Sequence, residues 1–462
     1  MNNSIFEMVT SGIKEGSFFP QIQSCVLPIF LQEFKGYTLF YAPGTLIATD
    51  AYQSEKMIID LKKNNVQSIF AKQIRNKAEM AKRRFDLQHQ IPPFNPYCLT
   101  LYTSSDCNLN CSYCYSGKRD YKNKVDLNLE SIRKGAEIVA AACQKASIPM
   151  SVVFHGGGEP LIDPHLPEIL ACVEEIAINY ALQISSYVAT NGVISEETAN
   201  WAADHIDQFG LSCDGYPDIQ DQQRPGKNGE KSSLFVERTA AILNKKGKKF
   251  SIRATITEET YLQIPEIIKY CCGKLFAKEI YLEPIFSGLN QKTDNGFSVN
   301  DAANFCRQFL KGKELAIENG ATVEFCGSRM NEIHGRYCQV FRHVLQLIPG
   351  GAISACFKTS GKNTAKFDER LIGRNQEGDW NWDHLFETGK KLSIDDPSCY
   401  QCFNRFHCAR GCPDICPLTG GPDHGSFRCL MNKIMTGYSL LETADEFLLP
   451  MISDHQIVGM EI

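Results

Sequence analysis

Between Tyr97 and about Pro284, short apolar runs alternate with amphipathic ones, and this rhythm restricts the fold more than any other feature of the chain. The apolar runs YCLTLYT, SVVFHG, QISSYVAT, QFGLSC, FSIRATI and EIYLEP read as strands. Windows such as LESIRKGAEIVAAACQ, LPEILACVEEIAINY and SLFVERTAAILNKKG read as the helices between them. Each strand is short and apolar, as expected where both faces are covered. A series of βα units predicts an α/β domain with a parallel sheet, open or partly closed into a barrel. Ligands are then expected at the C-terminal ends of the strands.

The flanks differ from this middle. In residues 1–92, YTLFYAPGTLIATD reads as a hairpin turning at Pro43-Gly44. A helical stretch, SEKMIIDLKKNN, follows, and then a strongly charged one, KQIRNKAEMAKRRFD, expected as a solvated helix or linker. The Pro-rich IPPFNP beginning at Ile91 marks a boundary. Three segments are expected: an N-terminal module over 1–92, a core over 93–310 and a cysteine-rich domain over 311–462. With 43% apolar and 22% charged residues, the chain has ample core for this length. A net charge of −5 without a long basic run argues against a nucleic-acid partner. The start lacks a signal-peptide pattern, and no apolar run is long enough to span a membrane, so a cytoplasmic location is expected.

The chain has 20 cysteines, nine of them between Cys326 and Cys429. Where the cytosol keeps thiols reduced, such clustering points to metal. Directly after the first strand, CNLNCSYC places Cys107, Cys111 and Cys114 at C-x3-C-x2-C spacing. Three thiolates on one loop can hold three corners of a 4Fe–4S cube and leave one iron open. The spacing alone also admits a zinc site with its fourth ligand elsewhere. At the end of the second strand comes FHGGGEPL, where Gly156, Gly157 and Gly158 allow close backbone approach to a ligand and Glu159 offers a carboxylate.

These motifs together resemble the radical S-adenosylmethionine (SAM) superfamily. The resemblance implies a partial (β/α)6 TIM-like barrel, with SAM chelating the open iron and a 5′-deoxyadenosyl radical formed by one-electron cleavage. ATNG, ending at Gly192, and SCDG, ending at Gly215, close the third and fourth strands. LSCDGYPDIQDQQRP is similar to the corresponding stretch of sulfatase and peptide maturases. By that similarity Ser212 and Arg238 contact SAM, as do Tyr113 and the GGGEP segment. A plain surface charge is the other reading of Arg238, and a turn cap that of Asp214.

The tail, with Cys338, Cys356, Cys399, Cys402, Cys408, Cys412 and Cys429, resembles the SPASM extension that binds auxiliary iron–sulfur clusters. The resemblance implies one cluster on Cys338, Cys356, Cys412 and Cys326, and a second on Cys399, Cys402, Cys408 and Cys429. Cys416 is a spare thiol, and zinc in one or both sites is the alternative. Cys98, Cys143, Cys172, Cys271, Cys272 and Cys306 read as buried small hydrophobes.

Enzymes with this tail act on peptides or proteins, and need a reducing donor such as flavodoxin or ferredoxin. Sulfatase maturases have an aspartate directly after the Cys356 equivalent as a general base, whereas this chain has Phe357, which cannot take a proton. The preferred expectation is therefore a maturase installing a thioether or carbon–carbon crosslink in a ribosomally made peptide. The N-terminal segment would then read a leader peptide as an added strand, or else serve as plain scaffold. Formylglycine formation and a non-catalytic, zinc-stabilised interaction protein are the alternatives.

Overall fold

The computed structural model describes residues 1–23, 25–63, 67–90, 94–114, 127–285, 297–333, 342–354, 371–372, 380–391, 397–409, 426–448 and 458–460. Helix α1 (Asn3–Glu15) starts where the Asn2 side chain accepts from the Ser4 and Ile5 amides, and stops at Gly16 with φ 72°. Three antiparallel strands follow: β1 (Phe30–Phe34), β2 (Tyr37–Ala42) and β3 (Thr45–Thr49). The expected Pro-Gly turn joins the last two, with Gly44 at φ 87°. Helix α2 (Ala51–Lys62) is capped by Asp50. The charged stretch forms α3 (Ile69–His89), which buries a stripe of Ala71, Ile74, Ala78, Ala81 and Phe85 and leaves its charges in solvent.

The core then runs β4 (Cys98–Leu101), α4 (Leu129–Ala146), β5 (Met150–Phe154), α5 (Leu166–Asn179), β6 (Ile184–Thr190), α6 (Glu196–His205) and β7 (Gln208–Ser212). After these come α7 (Pro217–Gln223), α8 (Ser233–Lys245), β8 (Lys249–Ile256), α9 (Ile264–Gly273) and β9 (Glu279–Pro284). The strands β4 to β9 lie side by side in sequence order, every pair parallel. All the expected core strands are present.

The alternation does not stop at Pro284. Helix α10 (Asp301–Glu318), which crosses residue 310, leads into β10 (Thr322–Glu324), a further parallel strand beside β9. On the other edge, β11 (Val344–Ile348) pairs parallel with β4, and β12 (Ala352–Ser354) and β13 (Leu371–Ile372) continue antiparallel, giving a ten-stranded sheet. Helices α11 (Trp382–Lys391) and α12 (Phe427–Leu448) follow, and β14 (Val458–Met460) returns to pair with β3.

Among the described residues, helices pack one face of the core sheet. In β8 the side chains of Phe250, Ile252, Ala254 and Ile256 are buried, while Arg253 between them is exposed. In β9, Ile280 and Leu282 are buried and Tyr281 and Glu283 are half-buried. The opposite face is thus a polar lumen, as a sheet curled into a partial barrel provides. Cys143, Cys172, Cys271 and Cys306 are buried as expected, whereas Cys98 and Cys272 are half-buried. Among the described residues no helix is long and apolar enough to cross a membrane.

Candidate metal and substrate site

The loop leaving β4 carries Cys107, Cys111 and Cys114, and the next three strand ends fasten it. From the end of β5, the Gly158 amide donates to the Ser104 carbonyl (3.0 Å) and the Glu159 amide to the Asp106 carbonyl (2.7 Å). A Cβ on Gly158 would lie 1.6 Å from the Asp106 oxygen, and one on Gly156 would lie 2.0 Å from the Tyr102 ring. These glycines bring the backbone against the cysteine loop itself. At the end of β6, the Asn191 side-chain amide donates to Cys107 Sγ (3.7 Å) and to Asn108 Oδ1 (2.8 Å). After β7, the Asn110 amide donates to the Pro225 carbonyl (2.8 Å) and the Ser112 amide to that of Gln223 (3.0 Å).

Asp214 is more than a turn cap. It is fully buried and takes the Thr255 amide (2.9 Å), the Gln223 side-chain amide (2.8 Å) and the Tyr113 hydroxyl. It also lies 3.1 Å from Arg224 Nε, and the Arg224 guanidinium sits 5.3 Å from the Tyr113 ring centre. Tyr113 therefore ties the cysteine loop to β7, β8 and α7 through one carboxylate. Burial pushes the Cys111 thiol up to about 12; Arg224 opposes this, and the neighbouring Cys114 and Cys107 reinforce it. A metal must displace that proton to bind.

Glu159 is 2% exposed and accepts from Thr190 Oγ1 (2.7 Å), the Asn191 amide (2.6 Å) and the Leu161 amide (3.2 Å). Its carboxylate clamps two strand ends together. Ser212 closes β7, half-buried. Arg238 is half-buried on α8; it donates to the Ile194 carbonyl and sits 5.1 Å from the Phe235 ring centre. Asn191 and Arg224 were not singled out from the sequence. Asn191 belongs to the ATNG motif, and Arg224 ends the DIQDQQR run.

A second group of thiols lies across the lumen. Cys429 on α12 is pushed up to about 12 by burial, with Cys402, Cys408 and Cys399 adding to the rise. Asn432 on the same helix donates to Cys408 Sγ (3.0 Å). The loop is pinned beyond β10: the Ala409 amide donates to the Gly327 carbonyl (2.9 Å) and the Arg329 amide to that of His407 (3.1 Å). Arg428 donates to the Pro284 carbonyl at the end of β9, and the Cys326 amide donates to Glu283 Oε1 (2.7 Å). Cys338, Cys356, Phe357, Cys412 and Cys416 lie outside the described residues. Among the described residues, no three His, Cys, Asp or Glu side chains close on a single ion. Both groups supply thiols, the donors an iron–sulfur cluster takes, and a four-thiolate zinc site would take the same ones.

Comparison with known proteins agrees with this geometry. Residues 101–271 match the family model described as the radical SAM superfamily. An uncharacterized protein of Methanocaldococcus jannaschii is 29% identical over 37% of this chain. A cysteine-type anaerobic sulfatase-maturating enzyme of Clostridium perfringens is 27% identical over 49% of it. These alignments span 57% and 64% of the relatives' own lengths. A solved structure titled native anSMEcpe with bound AdoMet superposes with TM-score 0.59 at 22% identity, covering 76% of this chain and all of that one, which establishes a shared fold.

Proposed function

This chain belongs to the radical SAM superfamily through residues 101–271, and from that premise we propose that it is a peptide maturase, abstracting hydrogen from a ribosomally made peptide to form a thioether or carbon–carbon crosslink. The observation that carries the reading is the placement of the two thiol groups. One sits beyond β4, and the other is fastened to the ends of β9 and β10. They bracket the C-terminal mouth of the same partial barrel, where parallel sheets bind their ligands.

In this reading Cys107, Cys111 and Cys114 hold the SAM-binding 4Fe–4S cluster, and Cys399, Cys402, Cys408 and Cys429 an auxiliary one. Cys326 would join Cys338, Cys356 and Cys412 in a third. The first cluster, when loaded and reduced, supplies one-electron cleavage of SAM to a 5′-deoxyadenosyl radical. The chain's own residues hold and orient. Asn191 donates to a ligand sulfur, Asp214 and Tyr113 fix the loop, and Ser212 and Arg238 would contact SAM. The polar lumen between the thiol groups admits the peptide.

Formylglycine formation is the second reading, favoured by the sulfatase-maturating relatives. It needs a carboxylate base. Asp214 is sealed and committed to its four partners. Glu283, in the lumen with one oxygen on the Cys326 amide, would serve.

Anaerobic reconstitution tests the maturase reading: about twelve irons per chain and 5′-deoxyadenosine release under a strong reductant are expected. Bound zinc without iron would overturn it. Mass spectrometry of a small peptide co-expressed from a neighbouring reading frame should show loss of two hydrogens; an aldehyde that reacts with hydrazides would favour formylglycine instead.

A further inference from the structure

Building on the maturase reading, we propose that Arg253 anchors a carboxylate of the peptide substrate, so that the lumen selects a peptide with an acidic side chain. Strand β8 has neighbours on both sides, β7 and β9, so it is not a sheet edge. Its alternate side chains Ile252 and Ala254 are buried under the helices, which directs Arg253 to the opposite face. Arg253 is nevertheless exposed, and in a central strand that exposure is to the lumen.

The side chain is oriented. Its guanidinium carbon lies 4.1 Å from the Tyr281 ring centre on β9. On its other flank, Tyr187 of β6 has its hydroxyl within hydrogen-bond reach; burial raises its pKa and the guanidinium opposes the rise. Tyr187 reaches this place across Gly210, where a Cβ would fall 1.9 Å from its hydroxyl oxygen. Stacking on one ring leaves the N–H edges of the guanidinium pointing outward, the planar fork that suits a carboxylate.

Among the described residues Arg253 makes no ion pair with a carboxylate. The carboxylate two positions beyond Tyr281, Glu283, takes the Cys326 amide (2.7 Å) and lies 3.8 Å from Arg428. The cation serving the first thiol loop is Arg224, whose charge acts on Cys111. The Arg253 charge acts instead on His155 and Cys326, toward the middle and the far side of the lumen. In register it stands opposite Ser212 and Tyr281. A peptide crossing from one thiol group to the other passes this cation. The carboxylate of SAM is the rival source of the same chemistry, and the test separates the two.

The test uses the full chain, reconstituted anaerobically with SAM and dithionite. The probes are capped pentapeptides, acetyl-Gly-Gly-Xaa-Gly-Gly-amide, with Asp, Glu, Asn or Lys at the centre. Binding of each peptide and of SAM is measured by equilibrium dialysis, and 5′-deoxyadenosine release by chromatography. The Asp and Glu peptides should bind about ten-fold or more tighter than the Asn peptide, the value of a charge-assisted bond. Arg253→Gln should erase that difference and leave SAM affinity unchanged, while Arg253→Lys should keep part of it. Because Arg253 is exposed, both variants should melt like the parent protein. Equal binding of the Asp and Asn peptides by the parent, with 5′-deoxyadenosine still released, overturns the Arg253 assignment alone. Loss of SAM affinity in Arg253→Gln without loss of Asp over Asn discrimination overturns it too, in favour of the SAM carboxylate. If the parent released no 5′-deoxyadenosine at all, the maturase reading would fall, and this assignment with it.

Discussion

Glu159 ties two strand ends together with a buried carboxyl. Buried at the junction of β5 and β6, its carboxyl is raised to about 7 by burial, against the pull of bonds from Asn191, Thr190 and Leu161. The ordinary value is 4.5, so between pH 4.5 and 7 the folded chain keeps a proton that the unfolded chain gives up. Stability is therefore greatest below pH 4.5 for this group and falls as pH rises through 7, by roughly 3 kcal/mol at 1.4 kcal/mol per unit. Chemical unfolding across that range should show the slope in the parent protein and lose it in Glu159→Gln. Identical slopes would remove Glu159 as the cause. One residue earlier, Gly158→Ala would place a methyl group 1.6 Å from the Asp106 oxygen. The loop must shift, at a cost of about 1–3 kcal/mol, and the variant should reconstitute with about four fewer irons. Full iron content would show that the loop tolerates the shift.

The tie between the cysteine loop and β7 to β8 is an ion pair with its hydrogen bonds, closed in protein. Removing only one charge leaves the other buried and unpaired, which costs about 3–5 kcal/mol. Asp214→Asn should lose that much in unfolding free energy and should broaden the electron-paramagnetic signal of the first cluster as Tyr113 comes free. Adding Arg224→Met should recover part of the stability; no recovery would mean the pair is not what holds the loop. The sequence made the strands of this region legible, since each is a short apolar run ending in a glycine-bearing or polar motif. It left β10 to β13 unread: β10, β12 and β13 have only two or three residues, and β11 stands outside the strand–helix rhythm that marked the others. The bond from Asn191 to Cys107 joins residues 84 apart in sequence, so the motif was visible and its partner was not. Arg224 looked like any charge on a short helix until the fold sealed it beside Asp214.

Taken as a whole, the molecule packs its N-terminal module against the second thiol group. Both edges of the module's sheet are covered: the segment around Gln21 and Ile22 bonds to β1, and β14 pairs with β3. A leader strand added at β3 would have to displace β14. The contact is aromatic. Phe403, next to Cys402, is 4% exposed and meets Phe18 edge-on at 5.3 Å and Phe19 at 5.8 Å between ring centres. Nearby, Phe406 meets Phe85 of α3 at 4.8 Å, and Asn2 donates its amide to the Tyr438 hydroxyl of α12 (2.8 Å). Truncating Phe403 to Ala should cost about 3–5 kcal/mol, as large-to-small changes in an aromatic core do. The thiol loop should loosen first, so iron should leave the Cys399 to Cys429 group while 5′-deoxyadenosine release, which depends on Cys107, Cys111 and Cys114, survives at moderate temperature. Thermal melting followed by iron absorbance checks this. A variant that melts lower but keeps its full iron would show that the N-terminal module stabilises the chain without holding the cysteines.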